Sequence, residues 1–78
     1  MSILTINKSK NAIDVAFQNS KMTLFLEDGR ELSIPLEWFP RLTKATDEQL
    51  NKWRLIGKGE GIHWEDIDED ILVENLFG

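Results

Sequence analysis

Residues 22–34 have the sequence MTLFLEDGRELSI, and this stretch decides the fold. Apolar side chains occupy alternate positions on both sides of Asp28-Gly29, a pattern typical of two strands that each bury one face. Asp-Gly tolerates the positive φ angles of a tight primed turn, so the stretch predicts a β-hairpin centred on these two residues.

A further strand is predicted immediately before the hairpin. Residues 12–18 place Ile13, Val15 and Phe17 at alternate positions, and Asn19-Ser20-Lys21 supplies a polar turn into the next strand. Three consecutive strands joined by short turns are expected to form an antiparallel meander.

The hairpin is followed by a segment in which only short helices can form. Pro35 lacks the amide hydrogen that a strand ladder needs, and Pro40 limits any helix before it to one or two turns. Three apolar side chains of this segment are expected to point inward: Trp38, Phe39 and Leu42.

A capping box predicts the next helix. Thr46 is followed three residues later by Gln49, the pairing in which each side chain bonds the other residue's backbone N–H. Leu50 and Trp53 lie three residues apart and give the helix one apolar stripe over two to three turns. Gly57 ends it.

The C-terminal part predicts one more strand and a last helical turn. Ile-His-Trp at 62–64 indicates a short strand added to the sheet, and Asp68 or Asp70 is placed to cap a turn over 73–77. The fold expected is α+β: a small antiparallel sheet, made of a three-strand meander plus a short C-terminal strand, covered on one face by short helices. Its expected core is Val15, Phe17, Leu24, Leu26, Leu32, Ile34, Trp53, Trp64, Leu72 and Leu76.

Length and composition indicate a single domain over residues 1–78, with residues 1–11 as a loosely ordered N-terminal segment. The chain has 41% hydrophobic residues, which is too apolar for a disordered tail. The absence of cysteine excludes a disulfide scaffold, a thiolate metal site and a cysteine nucleophile. Without a long apolar run or a leader pattern, we expect a cytoplasmic protein that makes no membrane contact.

Negative charge is concentrated in the last quarter of the chain. The formal net charge is −5, yet residues 60–78 contain seven acids and no Lys or Arg. The simplest interpretation is that these carboxylates solvate one face. The alternative is a surface that attracts a basic protein and repels nucleic acid. The predicted partner-binding residues are Glu60, Glu65, Asp66, Asp68, Glu69, Asp70, Glu74 and Trp64.

Other motifs give little chemistry. The glycine-rich segment 57–61 has a predicted helix before it and Gly after its lysine, which favours a turn over a phosphate loop. Acids at 66, 68 and 70 resemble the start of a calcium loop, but the required Gly and Glu are missing. His63 is the only histidine, and the simplest interpretation is a packed or surface-facing ring. The alternative is a metal or small-ligand site that uses His63 with Asp66 or Asp68. No cofactor and no catalytic residue are assigned.

Several short motifs together are more specific. WFPRL at 38–42, GIHW at 61–64 and DED at 68–70, with DGR at 28–30, resemble the small bacterial family catalogued as domain of unknown function 2442. Glu65 departs from the pattern, since Pro is expected after the Trp. The resemblance implies a stand-alone protein or a module ahead of a helix-turn-helix domain, in some members the neutralising half of a toxin–antitoxin pair. It implies no catalytic residues and, here, no direct DNA recognition.

The expectation for function is therefore a non-enzymatic, acidic protein-binding module, monomeric or weakly dimeric. It would block a basic site on a nuclease, toxin or nucleic-acid-binding complex, as an antitoxin or a phage-encoded inhibitor does. The alternative is a regulatory domain that binds a metal or small ligand through His63 and nearby carboxylates.

Overall fold

The computed structural model describes residues 9–77, and it begins with the expected meander. Strands β1 (Ala12–Gln18), β2 (Lys21–Leu26) and β3 (Glu31–Pro35) pair antiparallel in that order. A bulge in β1 interrupts the register after Ala12, so Ala12 is buried while Ile13 is 60% exposed. Ile13 therefore does not share the buried face of Val15, although their alternation predicts one common face. Residues 1–8 of the N-terminal segment that is expected to be loosely ordered lie outside the described residues.

The primed turn lies in the first hairpin of the meander and not in the second, where the sequence predicts it. Asn19 and Ser20 have φ of 53° and 60°, so the primed turn joins β1 to β2. In the second turn only Gly29 has positive φ, and its N–H donates to the Leu26 carbonyl over 3.0 Å. Glu27, Asp28 and Gly29 thus form a three-residue loop with a glycine bulge, and the primed turn predicted at Asp28-Gly29 is wrong.

Short helices connect the two halves of the chain. A 3-10 turn at Leu36–Trp38 precedes α1 (Pro40–Thr43) and α2 (Asp47–Leu50). The capping box is confirmed: Gln49 N donates to Thr46 Oγ1 over 3.1 Å, and Thr46 N donates to Gln49 Oε1 over 3.0 Å. However, α2 has a single turn, because Trp53 already belongs to a strand.

A second meander replaces the single added strand. Strands β4 (Trp53–Ile56), β5 (Gly61–Trp64) and β6 (Glu69–Leu72) form a separate antiparallel sheet in chain order. The prediction that β5 joins the first sheet is wrong, because β4 and β6 occupy both of its sides. A 3-10 turn at Val73–Leu76 follows, and no Asp side chain caps it.

The core lies where the two sheets and α2 meet. Trp64 is fully buried, its indole N–H donates to the Leu50 carbonyl over 2.9 Å, and Phe17 packs edge-on against its ring at 6.4 Å. Of the expected core, Val15, Leu24, Leu26, Ile34, Trp64 and Leu76 are buried, while Phe17, Leu32 and Trp53 pack partly buried against them. Leu72 and Trp38 were wrongly expected inside; they are 48% and 62% exposed.

The glycine-rich turn is a junction between the two sheets. The Ala12 N–H donates to the Gly59 carbonyl over 2.7 Å, and Gly59 has φ of 97°. A Cβ at Gly59 would overlap the Ala12 carbonyl oxygen. The turn therefore holds β1 against the second sheet, a structural role that agrees with the prediction of a turn.

Replacing Gly59 by Ala should lower the free energy of unfolding by more than about 3 kcal/mol, since a backbone clash adds to an unfavourable φ. Gly29→Ala is the matched control, because Gly29 has φ of 94° with open space around it, and it should cost only about 1 to 2 kcal/mol. Urea unfolding of both variants measures the difference. Equal losses would contradict the junction.

The Asp28 carboxylate anchors the second turn. It accepts from Ser9 N at 2.9 Å, from Arg30 N at 3.1 Å and from Arg30 Nε at 2.8 Å. The Ser9 and Arg30 backbone N–H groups, and then the Arg30 guanidinium, hold the pKa of Asp28 below its usual 3.8. The pKa of Asp28 is thus lower in the folded state than in the unfolded state. The stabilisation that its carboxylate gives the fold is therefore complete above the unfolded-state pKa and is lost as pH falls through the folded-state pKa.

Wild type should accordingly exceed Asp28→Asn in unfolding free energy at neutral pH, with the gap closing below about pH 4. Chemical unfolding of both proteins between pH 2 and pH 7 measures it. A gap that stays constant down to pH 2 would show that the charge of Asp28 is not involved.

Candidate functional site

The seven acids of residues 60–78 are distributed over the second sheet. Glu60 lies in the β4–β5 turn, three acids lie in the β5–β6 turn, Glu69 and Asp70 begin β6, and Glu74 lies in the last 3-10 turn. The topology thus brings them to one half of the molecule, but it does not place them in one cluster.

Cations from the middle of the chain compensate the β5–β6 turn. Arg54 Nε lies 3.4 Å from Glu65 Oε1, and Lys52 Nζ lies 3.5 Å from Asp66 Oδ2. Asp66, and then Glu48, raise the pKa of Lys52, so this lysine keeps its charge. These ion pairs are exposed and contribute little to stability, but they reduce the local negative potential. Glu65 and Asp66 are therefore weaker candidates for partner binding than the sequence suggested.

Asp68 is held by its backbone. It has φ of 49°, and its carbonyl oxygen accepts from Arg41 Nη1 over 2.7 Å. This contact ties α1 to the β5–β6 turn. It also brings a guanidinium to the turn without pairing it with the Asp68 carboxylate.

A groove beside β6 combines exposed apolar surface with two acids that have no Lys or Arg partner within residues 9–77. It has a volume of about 380 Å³ and lies between the Trp38-Phe39 segment and the strand. Trp38 is 62% exposed and Leu72 is 48% exposed. Within residues 9–77, Glu69 has no Lys or Arg partner, and the Asp70 carboxylate contacts only the His63 ring. Its lining is Trp38, Phe39, Glu69, Asp70, Ile71, Leu72, Asn75 and Leu76. We call this feature the Trp38 groove.

Trp64, which the sequence predicts as a partner-binding residue, is not accessible to a partner. Its ring is fully buried and its N–H is satisfied inside the core. Trp38 is the accessible tryptophan beside the acidic segment. Its position two residues before Pro40, which keeps the preceding 3-10 turn to Leu36–Trp38, is the sequence signal that could have identified it.

Glu60 and Glu74 line a different cavity of about 300 Å³ together with Lys10 and Leu72. The lysine supplies positive charge at that cavity. The two carboxylates are thus separated from the Trp38 groove, although Leu72 borders both.

His63 does not assemble the ligand set considered for a metal. Its Nδ1 contacts Asp70 Oδ1 across the β5–β6 pair, rather than Asp66 or Asp68. Among the residues that the structure describes, no three His, Cys, Asp or Glu side chains are grouped closely enough to hold a metal ion. The His63–Asp70 contact therefore serves to connect two strands.

Comparison with known proteins identifies relatives but no activity. A family model described as "Protein of unknown function (DUF2442)" matches residues 12–78. The chain is similar to a crystal structure of a protein of unknown function from Rhodospirillum rubrum, with 28% identity, a TM-score of 0.74, and coverage of 85% of this chain and 82% of the other. No curated protein matches it. None of the helices within residues 9–77 is long and apolar enough to cross a membrane.

The exposure of Trp38 can be measured by fluorescence. Trp38→Phe should remove the emission that acrylamide quenches most readily and leave a bluer spectrum from Trp53 and Trp64. Unfolding free energy should change by less than about 0.5 kcal/mol, as for other surface substitutions. Unchanged quenching in this variant would contradict the exposed position of the ring.

Proposed function

We propose that this chain, which belongs to the DUF2442 family of unknown function, is a non-enzymatic protein-binding module whose Trp38 groove receives a basic segment of a partner protein. The observation that supports this most directly is the placement of an exposed tryptophan beside two carboxylates that have no Lys or Arg partner within residues 9–77. Exposed aromatic anchors with a polar rim are where binding energy is concentrated in protein interfaces.

The chemistry of the groove favours a cationic partner. Glu69 and Asp70 line it, and the Lys and Arg side chains that pair with acids on this sheet pair with Glu65 and Asp66 instead. The groove therefore keeps negative charge, and complementary charge across an interface selects the partner and speeds its association.

This proposal narrows the surface expected from the sequence. The eight residues considered there reduce to Glu69 and Asp70 as the acidic contribution, with Trp38 in place of Trp64. Where the partner's basic segment ordinarily binds nucleic acid, these carboxylates would occupy the place of phosphates and block it. An inhibitor or antitoxin-like role is the form of this activity that we propose.

Trp38→Ala should weaken partner binding at least tenfold, because removing a buried aromatic anchor at an interface typically costs 2 kcal/mol or more, of the order of 30-fold. Ile13→Ala is a matched control: Ile13 is 60% exposed but lies on β1 in the first sheet, and its loss should change affinity less than about twofold. Capture from the native host with wild type, followed by titration of the purified partner, gives both numbers.

Charge is tested on the same partner. Glu69→Gln keeps an oxygen acceptor while removing the charge, and it should lower both the affinity and its dependence on salt. Glu31→Gln, on β3, is the control and should change neither. Affinity that does not fall between low and high salt would overturn the electrostatic part of the proposal. Equal effects of Trp38→Ala and Ile13→Ala would overturn the site.

A further inference from the structure

We infer that the partner segment binds in extended conformation, as a fourth strand added to the free edge of β6; this rests on the proposed function of the Trp38 groove. Strand β6 is the last strand of its sheet, so one side of its backbone faces no other strand within residues 9–77. The groove lies on that side.

The residues that line the Trp38 groove show whether it lies over a face of the sheet or along the edge of β6. Successive side chains of a strand point to opposite faces, yet Glu69, Asp70, Ile71 and Leu72 all line the same groove. A cavity over one face of the sheet would be lined by alternate residues only. The groove therefore runs along the edge of β6, where the backbone of every residue is accessible.

The alternation of hydrogen bonds between β5 and β6 identifies the backbone groups of β6 that point away from β5. Val73 N donates to the Glu60 carbonyl over 2.9 Å, and this pair directly continues the β5–β6 register. Bonded and non-bonded pairs alternate in antiparallel sheets, so Asp70 and Leu72 occupy non-bonded positions and direct their N–H groups outward. The Asp70 N–H accordingly donates to Glu69 Oε1, over 3.2 Å, rather than to β5.

The side chains on this edge select the guest. Asp70 and Leu72 share one face of β6, and both are exposed. An antiparallel guest would place an apolar residue opposite Leu72 and, two residues later, a basic residue opposite Asp70. A second copy of β6 would instead add its own Glu69 and Asp70 to an edge that already has both, which opposes self-pairing and favours a basic peptide.

A short peptide tests the mode of binding directly. The probe is acetyl-Thr-Thr-Val-Thr-Arg-Thr-Arg-amide, titrated into the ¹⁵N-labelled protein and followed by NMR. We expect the backbone amide signals of Asp70 and Leu72 and the indole signal of Trp38 to shift together. Trp38→Ala should weaken the peptide at least fivefold.

Two methylated peptides separate strand addition from simple docking. N-methylation at the Val and the first Arg removes the hydrogens that would bond to β6, and it should weaken binding at least tenfold. N-methylation at the Thr between them removes a hydrogen that points away from β6, and it should change the affinity of the peptide less than threefold.

The outcomes distinguish the two ideas. Equal weakening by both methylation patterns, with Trp38→Ala still impairing binding, would overturn strand addition and leave the proposed function standing. A peptide that does not bind, or that binds equally well to Trp38→Ala, would overturn both.

Discussion

The burial of Trp64 is the interaction on which the rest of the structure depends. Its ring lies at the meeting point of both sheets, with Phe17 of β1 against its edge and its N–H bonded to the Leu50 carbonyl of α2. In a chain of this size the core is small, so one large side chain supplies a substantial share of the buried apolar area. The hydrogen bond matters as well, since an indole N–H buried without an acceptor would be costly. Both sheets and α2 are thus positioned by contacts to one residue.

Most features that local sequence determines were predicted correctly, apart from the turn type at Asp28-Gly29, and several that depend on tertiary partners were not. The meander and the capping box follow from alternation and from Thr46-Gln49, which act within a few residues. The strand at Trp53–Ile56 was missed because Leu50 and Trp53 have helical spacing, and because only pairing with β5 makes residues 53–56 a strand. The bulge that turns Ile13 outward depends in the same way on the register against β2.

In the candidate site, too, the sequence predicted what depends on composition and missed what depends on tertiary contacts. Composition located the acids, but the net charge around them also depends on Lys52 and Arg54. These two side chains reach Asp66 and Glu65 only because β4 lies beside β5. Counting tryptophans could not say which one is exposed: Trp64 sits at a buried strand position, whereas Trp38 ends a 3-10 turn whose inward contact is made by Leu36. What remains after these corrections is a smaller surface, in which apolar area and charge occur together.

The connectivity of the two sheets has a kinetic consequence. Within residues 9–77 every strand pairs only with its neighbours in the chain, β1 with β2 and β2 with β3, then β4 with β5 and β5 with β6. Each pairing closes a short loop and loses little chain entropy, so both meanders can form early and independently. The contact between Ala12 and Gly59 joins residues far apart in the chain, so we expect it to form late. The rate of folding should be set by the docking of two preformed halves rather than by strand formation within either one.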